Sequence, residues 1–342
     1  MGSVKDLKIL NRATPGNFGQ ARFIFSDRYS IFDWGEMPDR INYKGVAIAL
    51  LGAYFFEKLE KIGVTTHYAG LVENNIVKKL SEIKKPTNIM EVKLLRVISP
   101  ELQGDQYDYS IYRTEKGGFL IPLEVIYRNC LPPGSSVFKR LKNEEIKPGD
   151  LGLDKEPVPN QKLDTPILDV STKLEVTDRY LTWPEAQQIS CLHDNEIIKL
   201  KNLTNRVNDL ITREFLKIGM VNEDGKIEVG FDSERRLMVV DVLGTLDECR
   251  FTLNGFPVSK EIARIYYRDT AWCQAVEQAK KENRQQWKNI CELNPEPLSS
   301  GLNLLISQIY CACTNEITEN EWFKDVPPVK EILKEIKKIL PS

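Results

Sequence analysis

The chain switches repeatedly between two hydrophobic periods, and that alternation limits its fold more than any other feature. Val46 to Ile62 carries Ala, Leu and Phe at helical spacing, and Gly63 follows as a stop. Ile197, Leu200, Leu203, Val207, Leu210 and Ile211 mark one face of a second helix, predicted over 183–218 and broken near Cys191-His193. Helices are also predicted over Ser259 to Lys280 and Val329 to Leu340. Between them lie strand-like runs: Phe23-Ile24-Phe25, Asn88 to Ile98, Phe119 to Tyr127, and a hairpin made of Lys226 to Val229 and Arg236 to Val242. Pro122 inside the third run predicts an edge strand or a bend. Lys147 to Lys162, rich in Pro, Gly and charge, reads as a loop. Helices mixed with mostly antiparallel strands predict an α+β fold.

At 342 residues, the chain has room for two domains or one large one. Its net charge of -2 excludes the electrostatic surplus of a general nucleic-acid binder, but it leaves room for a local basic pocket. No apolar run approaches a membrane span, and no apolar leader opens the chain. Seven cysteines, an odd number with no CxxC pair, predict free thiols in a reducing, cytoplasmic setting. With only His67 and His193, multi-histidine metal sites and proton relays are excluded. His67, just past a helix stop, reads as structural.

Five segments hold side chains able to do chemistry. Gly2-Ser3-Val4-Lys5-Asp6 could cradle phosphate with backbone N–H groups and one cation, or be a frayed terminus. Ser26, Asp27 and Asp33, just after an apolar strand, suit a ligand site or a turn with a local Asp–Arg pair. Arg128 through Ser135 and Ser136, around Pro132-Pro133-Gly134, combines a guanidinium fork with hydroxyls, so it suits an anion pocket or a capped turn. Ser171 to Asp178, including Lys173, reads as a nucleotide contact or a capping sequence. In Asp224-Gly225-Lys226-Ile227-Glu228, Lys226 and Glu228 share one strand face, and Asp241 on the hairpin partner could complete a hard-oxygen Mg²⁺ site. A solvated hairpin face is the other reading of that pattern.

The order of these segments is more specific than any one of them. GSVKDL, FSDRYSIFD, PDRINYKG, THY, FLIPLEVIYRNCLPPGSSVFKRL, STKLEVTD, KIEVGFD and VVDVL, from Gly2 to about Arg268, resemble the phosphoribosylaminoimidazole-succinocarboxamide synthase (SAICAR synthetase) family. The likeness is strongest to its archaeal-type branch. It implies a two-domain α+β fold, mostly antiparallel, with a nucleotide cleft between residues 1–92 and 93–271, followed by a helical extension at 272–342. It implies an ATP- and Mg²⁺-dependent ligase that joins the carboxylate of carboxyaminoimidazole ribonucleotide to the amine of L-aspartate. In that picture Gly2, Ser3 and Lys5 form the phosphate loop, backbone near Val92 and Lys93 meets adenine, and Lys173 contacts the nucleotide. Glu228 and Asp241 hold Mg²⁺, Lys226 lies beside the phosphates, and Asp224 lies near the reacting centre. Arg128, Ser135, Ser136, Asp247 and Arg250 hold the ribonucleotide, with Ser26, Asp27 and Asp33 as further substrate contacts.

Several positions depart from the family pattern. Val242 follows Asp241 where many relatives have Glu, and Leu246-Asp247-Glu248-Cys249-Arg250 replaces a Pro-Asp-Ser-Ser-Arg-like segment. About 70 residues exceed the compact family length; they could cover the cleft, form the interface of a homo-oligomer, or extend the core. These departures leave open a ligase acting on another amine or carboxylate, and a non-catalytic nucleotide-binding protein.

Overall fold

The computed structural model describes residues 4–104, 106–283 and 286–340. The expected loop residues Gly2 and Ser3 lie outside the described residues. An antiparallel sheet is built from β1 (Lys5–Asn11), β2 (Gly19–Phe25), β3 (Tyr68–Glu73), β4 (Ile76–Lys78) and β5 (Ile89–Leu94), in the order β1-β2-β5-β3-β4. Strict alternation decides the faces of β2, with Gly19, Ala21, Phe23 and Phe25 turned inward and buried. Helix α1 (Lys44–Lys61) packs beneath; Ala47, Leu50, Leu51, Phe55 and Leu59 are all buried. β5 ends at Leu94, short of the predicted Ile98, because Leu95 turns to pack with Leu120, Met238 and Val240.

After the short pair β6 (Glu101–Gln103) and β7 (Gln106–Asp108) comes the larger antiparallel sheet. Its strands are β8 (Phe119–Leu131), β9 (Gln161–Thr172), β10 (Tyr180–Leu181), β11 (Met220–Phe231), β12 (Leu237–Val240), β13 (Cys249–Leu253) and β14 (Phe256–Pro257). The order is β10-β9-β8-β11-β13-β14, with β12 continuing beside β11. β8 is therefore a central strand, not an edge. Pro122 is tolerated there because pairing with β11 breaks between Glu228 and Gly230, where Glu124 and Leu120 are the flanking partners. The bend was the correct half of that expectation.

Asp224-Gly225 lies inside β11. A Cβ on Gly225 would come within 2.3 Å of Tyr127 Oη and 2.8 Å of Cys249 Sγ, so this glycine serves close packing. The helices after the first are α2 (Ser136–Lys142), α3 (Trp183–Ser190), α4 (Asp194–Leu216), α5 (Glu261–Arg268), α6 (Ala271–Glu282), α7 (Trp287–Ile290), α8 (Ser300–Thr318) and α9 (Val329–Ile339). The predicted break at Cys191-His193 stands, with Cys191 left-handed at φ 52°. The helix predicted over 259–280 is two, because the Thr270 side chain caps a new start by accepting from Cys273 N. The 147–162 loop contains a single 3₁₀ turn, Pro148–Leu151.

The two sheets meet at parallel bridges, Thr66 with Val239 and Arg96 with Phe119. One hydrophobic core runs from the first sheet through the second and into Leu302, Ile306, Ile309 and Ile336 of the C-terminal helices. Of the three roles open to the tail, extension of the core is seen in these helices, and Lys280 of α6 also lines the cavity described below. The expected boundary at 92 falls within β5, and that at 271 opens α6. All seven cysteines are free. Among the described residues no helix is long and apolar enough to cross a membrane.

Candidate active site

The larger sheet turns one face toward an open cavity of about 580 Å³. Period-two alternation puts Glu124, Ile126 and Arg128 of β8 on that face, beside Asp224, Lys226 and Glu228 of β11. Strand register then does what no local sequence can. Arg128 stands opposite Asp224, and Asp224 opposite Arg250 of β13, so two guanidinium groups flank one carboxylate across three strands. Arg250 grips Asp224 with two hydrogen bonds, Nε to Oδ1 at 2.8 Å and Nη2 to Oδ2. Arg128 reaches Asp224 at 3.5 Å, Asp169 at 3.1 Å, Ser136 Oγ at 3.2 Å and Tyr180 Oη at 3.3 Å. Its buried Nε–H has no hydrogen-bond partner among the described residues.

A chain of charges leads from this cavity to the seam between the sheets. Glu124 Oε1 accepts from Lys226 at 2.9 Å and from Lys173 at 2.8 Å, and Lys173 also pairs with Glu228 at 2.6 Å. Beyond Glu228 lies Asp241, bound to Lys5. Burial, and then the charge of Asp241, pushes the Glu228 carboxyl up to about 7. Burial would raise Asp241 as well, but Lys5 outweighs it and holds that carboxyl at about 2. For Lys226 burial opposes the charge, while Glu248, Glu124 and Glu228 more than restore it and raise its pKa.

His67 fixes this edge. Its Nε2 lies 2.8 Å from the Asp241 carbonyl oxygen, which can only accept, so Nε2 carries the proton. Burial lowers the His67 pKa to about 4 and keeps the ring neutral. The structural role expected of His67 is therefore that of a brace for Asp241, whose backbone is left-handed at φ 62°.

The expected site residues fall into three groups. Arg128, Ser136, Asp224, Lys226, Asp247, Arg250 and Asp33 line the cavity, and Lys5, Lys173, Glu228 and Asp241 gather at the seam. Others are engaged in the scaffold. Ser135 caps α2 by accepting from Val137 N, Ser26 Oγ donates to Val4 O at 2.8 Å, and Asp27 accepts from Tyr43 N and Gly45 N ahead of α1. Val92 is buried in the first sheet, and the Lys93 amide donates to His67 O at 2.7 Å. The side chain of Asp247 is held by Lys44 and Tyr310.

Sequence reasoning missed Glu124, Tyr180, Glu248 and Lys260 of the same wall. Glu124 was within reach, being four residues before Arg128 on one strand face. Lys260 carried no local signal; burial, and then Arg264, lower its pKa.

A cavity rich in both acidic and basic side chains, joined through lysines to a pair of buried carboxylates on two antiparallel sheets, suits a charged small molecule. The SAICAR synthetase family model matches residues 13–284. A protein of Archaeoglobus fulgidus, provisionally named as phosphoribosylaminoimidazole-succinocarboxamide synthase, is 50% identical over 340 residues, covering 99% of this chain and 100% of its own. The SAICAR synthase of Saccharomyces cerevisiae, solved with SAICAR, shares the fold at a TM-score of 0.65 and 19% identity, over 94% of each chain. A SAICAR synthetase solved with ADP does so at 0.56 and 21%, over 87% of this chain and 99% of its own. The chain belongs to the SAICAR synthetase family, ligases that form a C–N bond.

Proposed function

We propose that this chain joins the carboxylate of carboxyaminoimidazole ribonucleotide to the amine of L-aspartate at the expense of ATP, giving the succinocarboxamide, ADP and phosphate in purine biosynthesis. The observation that carries this reading is the continuous line of charge from the Arg128–Asp224–Arg250 ladder, through Lys226, Glu124 and Lys173, to Glu228 and Asp241. Its two ends suit a ribonucleotide phosphate and a nucleotide triphosphate, and its middle suits the oxygens that pass between them.

A carboxylate is a poor acyl donor because its leaving group would be oxide. Transfer of the γ-phosphoryl group makes an acyl phosphate; the amine of aspartate then attacks the acyl carbon, phosphate leaves with the C–O bond electrons, and the amine loses a proton. No nucleophilic side chain is needed, so positioning and charge neutralisation carry the catalysis. In this reading Lys226 and Lys173 neutralise the transferring group, and Arg128 and Arg250 hold the ribonucleotide phosphate.

The donor set also suits Mg²⁺. Glu228 and Asp241 offer hard oxygens; burial, and then the Asp241 charge, raise the Glu228 pKa, and a divalent cation would offset both. When held there by Glu228 and Asp241, it would supply positive charge to offset that of the phosphates. Leu7 and Ile9 continue the inward face of β1 beyond Lys5, yet are 48% and 50% exposed, which suits the cover of a flat adenine ring. Gly2, Ser3 and the backbone near Val92 and Lys93 belong to this nucleotide side of the reading, and Asp33 and Asp247 to the substrate side.

The test is ADP release by purified protein with Mg-ATP, the carboxylated ribonucleotide and a panel of amines. Release that requires both the ribonucleotide and aspartate, with stoichiometric adduct, supports the reading. Release with another amine reassigns the substrate, and ATP binding without turnover on any pair refutes the ligase.

A further inference from the structure

Helix α8 lies beyond residue 284, where the family match ends, yet it reaches the cavity wall. Tyr310 donates from Oη to Asp247 Oδ1 at 2.5 Å, and Lys44, opening α1, donates to Asp247 Oδ2 at 2.6 Å. All three side chains are buried, and the Lys44 ammonium also sits 5.6 Å from the centre of the Tyr310 ring. Both oxygens of Asp247 are thus occupied by donors from two helices.

The backbone around Asp247 is a tight turn. Its own amide and those of Glu248 and Cys249 all donate to Thr245, to Oγ1 at 3.3 Å and to the carbonyl at 3.2 and 3.0 Å. That turn leads into β13 and delivers Glu248 to within 3.6 Å of Lys226, and Arg250 onto Asp224. Its one buried ionic anchor is the Asp247 carboxylate. Two of the three groups in that anchor, Lys44 and Tyr310, are more than 60 residues away in sequence.

We propose that Tyr310 of the C-terminal extension is a positioning residue for the ribonucleotide side of the site, acting through Asp247 on Arg250. The proposal rests on the function proposed above. Removing the hydroxyl takes one donor from a buried carboxylate, so Asp247 and its turn gain freedom and Arg250 loses its fixed approach to an anionic ligand. Among the described residues, Lys5, Glu228 and Asp241 share no hydrogen bond with this turn; its link toward the phosphates is Glu248, whose carbonyl accepts from the Lys226 amide at 3.3 Å.

The test compares Tyr310→Phe with Thr314→Val. Thr314, on the same helix, donates to Ala47 O at 3.3 Å and back to the Tyr310 carbonyl at 2.9 Å, and makes no hydrogen bond to Asp247, so its variant weakens the docking of α8 while leaving the Tyr310 hydroxyl on Asp247. Tyr310→Phe is expected to raise the KM for the ribonucleotide about tenfold while changing the KM for ATP less than twofold. Thr314→Val is expected to lower Tm with both KM values unchanged. Equal KM shifts in the two variants, or none in Tyr310→Phe, would overturn the proposal while leaving the ligase intact. Absence of turnover in the wild type would instead remove the ligase. The tie is then read from calorimetric binding of ribose 5-phosphate, where about tenfold weaker binding by Tyr310→Phe upholds it and equal affinity overturns it.

Discussion

Replacing Arg128 with Met tests how the buried ion network shares its load. Breaking a buried pair from one side costs about 3–5 kcal/mol when a bare charge is left behind. Here neither carboxylate is left bare. Asp169 keeps Arg140 at 2.5 Å, and Asp224 keeps both hydrogen bonds from Arg250. The expected cost of Arg128→Met therefore falls to about 1–2 kcal/mol, the scale of lost hydrogen bonds. Arg140→Met should cost a similar amount, because Arg128 still faces Asp169 at 3.1 Å. The double variant strips Asp169 of both cations, and its cost should exceed the sum of the singles by about 2 kcal/mol. Urea unfolding of the four proteins measures this, with matched m-values as the check on comparability. A double variant within about 0.5 kcal/mol of additivity would refute the shared-cation reasoning. In the same series, Arg128→Met should raise the ribonucleotide KM at least tenfold, since a charge-assisted contact is removed.

Asp241→Asn should reduce Mg²⁺-dependent ADP release by about a hundredfold or more and lower Tm by a few degrees. Lys5 holds the Asp241 carboxyl below its ordinary range, so its charge favours the fold, and an unchanged Tm would contradict that sign. Glu73 accepts from the Lys84 and Lys85 amides and pairs with Lys78; the Lys78 contact, then those amides, lower its pKa to about 2. Its folded pKa lies below the unfolded value, so it contributes stability above about pH 4.5 that is lost as pH falls toward 2. Glu73→Gln should flatten acid unfolding across that window, and an unchanged acid limb would count against it. Gly225→Ala should cost about 1–3 kcal/mol by driving a methyl into Tyr127 and Cys249. Adding Cys249→Ala should recover part of that loss in thermal unfolding; no recovery would mean that Cys249 is not part of the clash.

Within one element, the sequence was a reliable guide. The spacing of Lys226 and Glu228 placed them on one strand face, and helical periodicity found α1, α4 and α9, because side-chain direction follows from the backbone repeat alone. The order of short motifs carried the family. Pro122 misled in one respect, since a proline lacks a ladder donor but a break in pairing removes the need for one. The helix over 259–280 misled because Thr270 could equally continue a helix or cap the next.

Contacts between distant segments were decided only by the tertiary structure. Lys5 meets Asp241 across 236 positions, Lys44 meets Asp247 across 203, and Tyr310 meets Asp247 across 63. Each contact is set by sheet register and helix packing, which depend on how the whole core closes rather than on any neighbouring residue. The two hydrophobic periods determined which strands and helices would form. The closing of the core decided that Asp247 would be anchored to two helices, and that 70 residues with no motif of their own would brace the wall of the site.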